Sequence, residues 1–66
     1  MKKILLNGAW RETAAEDVAA ALAELGYGGA VVVTALNERF LPSGLRAGAH
    51  LAEGDRLEVL APMQGG

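Results

Sequence analysis

Asn7-Gly8 stands between two short runs of strand-forming residues, Ile4-Leu5-Leu6 and Ala9-Trp10-Arg11-Glu12. A two-residue loop of this composition joins antiparallel strands through a turn whose central residues both need positive φ, which asparagine and glycine tolerate best. The chain therefore commits to a β-hairpin at its start, and whatever follows must cover one face of that hairpin.

The cover comes next. Thr13 with Glu16 three residues later has the pattern of a capping box, predicting a helix that begins near Ala14. Val18, Leu22 and Leu25 recur at i, i+4 and i+7 as an apolar stripe, and Gly26 is the expected stop. Glu16 and Asp17 would then lie in the first turn, where negative charge complements the helix dipole. Beyond Gly28-Gly29, the β-branched run from Ala30 to Leu36 reads as an inner strand because it lacks the alternation of a half-solvated one. Asn37-Glu38-Arg39 reads as a turn and Phe40-Leu41 as a short extended piece. Pro42-Ser43-Gly44 reads as a break with no regular structure just beyond it, and Leu45 to His50 as one loose turn. Glu53-Gly54-Asp55 is a tight turn feeding a last strand from Arg56 to Ala61.

A hairpin whose remaining strands arrive after a single helix must lay that helix across one sheet face, since nothing else covers its apolar side. The expected class is α+β with a β-grasp architecture, a mixed sheet of four or five strands with one main helix on one face. Residues 1–61 form the domain, and 62–66 a flexible tail ending in Gly65-Gly66. The expected core is Ile4, Leu6, Val18, Leu22, Leu25, Leu57 and Val59, sealed at one end by Leu41 and Leu51.

At 66 residues the chain buries only about 60% of its unfolded surface, which leaves no room for a deep active site. A module is expected rather than an enzyme. The formal charge of −2 offers no electrostatic footprint for nucleic acid or acidic lipid, so neither nucleic acid nor membrane is expected as a partner. With 0 cysteines there are no disulfides and no thiolate metal site, and a cytoplasmic protein with no bound metal or cofactor is expected. The apolar start ends at Asn7, well short of a signal peptide or transmembrane span.

The hairpin, the helix, the apolar strand ending in Asn37, Pro42 after an extended pair, Gly54-Asp55-Arg56-Leu57-Glu58-Val59-Leu60 and the terminal Gly65-Gly66 together resemble the ThiS-type sulfur carriers of thiamine biosynthesis, which are ubiquitin-like proteins. The likeness spans the whole chain. Related carriers include the small subunit of molybdopterin synthase, which is usually longer, so length favours the thiamine branch. Ser43-Gly44 departs from the family, whose members often carry an Arg after the Pro.

The resemblance implies that a ThiF-type adenylating enzyme uses ATP to activate the Gly66 carboxylate. A persulfide donor then supplies sulfur, and the resulting thiocarboxylate delivers it to a ThiG-type thiazole synthase. It also leaves two alternatives in view: a related carrier for molybdopterin or another sulfur-transfer pathway, and a ubiquitin-like protein modifier. Gly65 is suited to tail insertion because a Cβ would widen a stalk that has to enter another active site. Alternation from Leu57 and Val59 puts Leu60 on the sheet face away from the helix, and the same count puts Leu5 there. With Met63 they are the candidate partner-binding residues. The remaining chemistry-bearing residues read as structural. His50 lies in a polar loop, Trp10 covers sheet surface, and Glu53, Asp55 and Glu58 read as turn and surface charge. Gly26, Gly28 and Gly29 leave a helix, whereas phosphate-binding loops enter one.

Overall fold

The computed structural model describes residues 1–61. Strands β1 (Lys2–Leu6) and β2 (Ala9–Thr13) form the expected hairpin, with Asn7 at φ 49° and Gly8 at φ 85° in its turn. Helix α1 (Val18–Glu24) follows, then β3 (Val33–Leu36), β4 (Arg39–Leu41), a 3₁₀ helix (Ser43–Gly48) and β5 (Arg56–Leu60). The five strands lie in the order β2-β1-β5-β3-β4, with β1 and β5 parallel and every other pair antiparallel. One main helix on a mixed sheet is the β-grasp arrangement expected from the sequence.

Asp17 caps α1. Its backbone is extended and its Oδ1 accepts a hydrogen bond of 2.8 Å from the Ala20 amide, satisfying one of the orphan donors of the first turn. The helix thus starts four residues later than the Thr13/Glu16 pattern predicts, and Glu16 and Asp17 precede its first turn rather than occupying it. Thr13 is diverted because it is fully buried at the end of β2. There its hydroxyl donates to the Glu24 carboxylate and accepts from the Ala15 amide. At the other end Gly26, at φ 98°, closes a Schellman motif in which Tyr27 N donates to Leu22 O at 2.7 Å and Gly26 N to Ala23 O at 3.3 Å. A helix of 7 residues is marginal alone, so packing must hold it.

That packing is supplied by Val18, Ala21 and Leu22, buried against Ile4 and Leu6 of β1 and Leu57 and Val59 of β5. Leu51 is fully buried, while Leu25, Leu36 and Leu41 are half-buried at the margin. Each large aliphatic side chain buried here contributes about 1.5 to 3 kcal/mol. Ala15, Ala21 and Val32 join the core beyond the residues expected.

Two further expectations are corrected. The Ala30–Leu36 run is an inner strand only from Val33, and its residues do alternate. Val31 is 76% exposed, Val32 7%, Val33 47% and Thr34 0%, because only one face of the sheet carries a helix. Pro42 is not followed by a break. Its extended backbone starts the 3₁₀ helix, and its carbonyl accepts the Leu45 amide at 2.9 Å. Arg46 from that helix reaches back to β3, donating from Nε to Thr34 Oγ1 at 3.0 Å and from Nη2 to Val32 O at 2.6 Å. No helix among the described residues is long and apolar enough to cross a membrane.

Candidate functional site

The last strand is β5, and two asparagines hold it from opposite edges. On one side the parallel pairing with β1 lasts only two positions, Leu5 with Arg56 and Leu6 with Leu57, before β1 turns away at Asn7. The Asn7 carboxamide continues the ladder in place of the lost backbone. Its Oδ1 accepts from Val59 N at 2.8 Å, and its Nδ2 donates to Val59 O at 3.1 Å. On the other side Asn37, at φ 51°, opens a second two-residue turn with Glu38 at φ 70°. Asn37 Oδ1 accepts from Arg56 N at 3.0 Å, and its Nδ2 donates to Asp55 Oδ1 at 3.1 Å. Both hairpin turns therefore begin with an asparagine whose short side chain tolerates positive φ and also fastens β5.

β5 alternates cleanly: Leu57 and Val59 enter the core while Arg56, Glu58 and Leu60 face out. Register places Val33 opposite Leu60, Ala35 opposite Glu58, and Phe40 opposite Ala35. Cross-strand partners share a face, so the side away from α1 carries an apolar cluster of Leu60 (69% exposed), Val33 and Phe40 (70%). The sequence pointed to Leu60 and to the correct face. Val33 and Phe40 share that face, and neither the unbroken valine run nor the three residues of β4 carried an alternation in sequence that could have shown it.

Leu5 is on the same face but not beside Leu60. It pairs with Arg56 and with Trp10, four residues back along β5, or about 13 Å at ~3.3 Å per residue. The face thus carries two apolar areas, Trp10 with Leu5 and Leu60 with Val33 and Phe40. Met63, Gly65 and Gly66 lie outside the described residues.

Other polar groups serve the fold. Asp55 Oδ2 accepts from the Ala52 amide at 2.8 Å and Glu53 Oε1 from the Lys3 amide at 3.0 Å, closing the turn into β5 at Gly54, φ 85°. His50 is exposed, and its backbone bridges to Asp17. The Arg56–Glu38 pair at 3.1 Å is exposed and contributes little to stability. No group of three or more His, Cys, Asp or Glu side chains among the described residues is placed to hold a metal ion.

The model of the ThiS family matches residues 4–66. Among solved structures, the thiamine biosynthesis protein ThiS from Geobacter metallireducens matches with a TM-score of 0.81 and 28% sequence identity, over 97% of this chain and 99% of that one. No curated protein matches the chain.

Proposed function

The chain belongs to the ThiS family, and on that premise we propose that it is a sulfur carrier in thiamine biosynthesis whose reactive group is the Gly66 carboxylate. The observation that carries this reading is the family match running through residue 66, so that Gly65-Gly66 fall inside it. A carboxyl terminus has a reference pKa of about 3.3 to 3.7, so near neutral pH it is an anion and a poor electrophile. Activation must come from a partner. In the proposed sequence the Gly66 carboxylate attacks the α-phosphorus of ATP on a ThiF-type enzyme, and pyrophosphate leaves. A persulfide sulfur then attacks the acyl carbon and expels AMP, and a thiol cleaves the acyl disulfide to leave the thiocarboxylate. That thiocarboxylate donates its sulfur to a ThiG-type thiazole synthase, and the carboxylate is regenerated. The chain is a co-substrate in this cycle rather than a catalyst, and ATP is bound by the partner.

Residues 63–66 can span at most about 13 to 14 Å fully extended, enough to enter a partner's active site while the domain stays outside. Ordering a free segment costs about 1 to 2 kcal/mol per residue, so contacts from the folded body must supply part of the affinity. The Leu60, Val33 and Phe40 cluster, towards the C-terminal end of β5, is the proposed docking face, with Met63 close to it in sequence. The test is the mass of the protein after incubation with a ThiF-type enzyme, ATP and a persulfide donor, with fragmentation to separate sulfur on Gly66 from oxidation of Met1 or Met63. Oxygen-to-sulfur exchange on Gly66 is expected. An unmodified Gly66 beside a demonstrably active enzyme would overturn the reading.

A further inference from the structure

Asn7 is followed by glycine, the residue that least obstructs its own amide nitrogen. Both Asn7 and Gly8 are exposed to solvent, and a Cβ placed on Gly8 would meet nothing within 4 Å. The Gly8 amide has no hydrogen-bond partner among the described residues. These are the conditions under which a backbone nitrogen attacks the preceding carboxamide. What opposes the attack is the pair of hydrogen bonds that commit Asn7 Oδ1 and Nδ2 to Val59. The carboxamide cannot engage Val59 and turn to the Gly8 nitrogen at once.

We infer that Asn7 is a site of spontaneous deamidation gated by β5, closed while Val59 holds the carboxamide and open when the end of the strand separates. In the reaction the Gly8 nitrogen gives up its proton to a solvent base and bonds to Asn7 Cγ. The bond from Cγ to Nδ2 breaks, and ammonia leaves. Water then opens the resulting succinimide at either carbonyl, leaving an aspartate or an isoaspartate at position 7. One water is consumed, one ammonia is released and nothing is oxidised or reduced. The new carboxylate has no N–H to offer Val59 O, so the product holds β5 less well than Asn7 did. Asn37 is the internal control. It is the only other asparagine in the chain, sits at the same turn position and is likewise bonded to β5, but the Glu38 side chain crowds the nitrogen that would attack.

The test incubates the purified protein in mildly alkaline buffer, with and without urea at the same pH and temperature. Gains of one mass unit are followed, located by fragmentation, and scored for isoaspartate by methyltransferase labelling. Conversion is expected at Asn7 and not at Asn37, about tenfold or more faster in urea, since each 1.4 kcal/mol of local opening free energy slows a gated reaction tenfold. In urea Gly8→Ala should slow it, whatever that variant does to folding. Equal rates with and without urea would overturn the gate. Conversion of Asn7 no faster than Asn37 in urea, or undiminished in Gly8→Ala, would overturn the site.

Discussion

Replacing Asn7 separates its two contributions to the domain. Asn7→Gly keeps the positive φ and removes both bonds to Val59. A net hydrogen bond contributes about 1 kcal/mol, so the loss is about 2 kcal/mol, with water restoring part of it at this exposed turn. Asn7→Ala loses the same bonds and must also hold a Cβ at φ 49°, which adds about 1 kcal/mol and brings the total to about 3. A domain of this length has a total stability of only about 3 to 10 kcal/mol, so either variant removes a large share. Urea unfolding is the assay. With m near 1 kcal/mol/M, as for small domains, the midpoint should fall by about 2 M for glycine and about 3 M for alanine, with m unchanged. Exchange of the Val59 amide should accelerate in both. A glycine variant within about 0.5 kcal/mol of the parent, or a Val59 amide as protected as before, would refute the idea that this side chain stands in for a strand.

Leu60→Asp, at a side chain 69% exposed, should change stability by less than about 0.5 kcal/mol yet raise the KM of the adenylating enzyme for this chain about tenfold; an unaltered KM would remove Leu60 from the docking face. Gly65→Leu should unfold at the parent's urea concentration but give no thiocarboxylate by mass analysis, and normal yield would count against an inserted tail. Leu57→Ala, at a fully buried position on β5, should cost about 2 to 5 kcal/mol and show as a lowered thermal midpoint by circular dichroism.

What could be read from the sequence depended on whether the deciding interaction was local. Asn7-Gly8 announced its hairpin because both residues suit the same turn; Asn37-Glu38-Arg39 also read as a turn, but not as the equivalent two-residue one, because composition does not advertise a glutamate at φ 70°. Thr13 and Glu16 had the spacing of a cap, but Thr13 is claimed by burial and by Glu24, eleven residues away, and the start of α1 passes to Asp17. The 3₁₀ helix after Pro42 is held to β3 through Arg46, a contact no local window contains. Leu60 could be assigned to the open face by alternation alone. Its distance from Leu5 could not, because that follows from the register of a parallel pair.

The parallel pair has a kinetic consequence. β5 lies between β1 and β3, and Asn7 meets Val59 across 52 positions of chain. Contacts so distant in sequence form only after a long loop has closed, which slows folding relative to a domain built from neighbours. Without β5 the chain owns two separate hairpins, β1–β2 and β3–β4, and no continuous sheet, because β5 alone joins them. The proposed docking face, whose Leu60 belongs to that strand, therefore comes into being only when β5 has joined the two hairpins. A shortened product without β5 would lack Leu60 and so present no complete version of that proposed face.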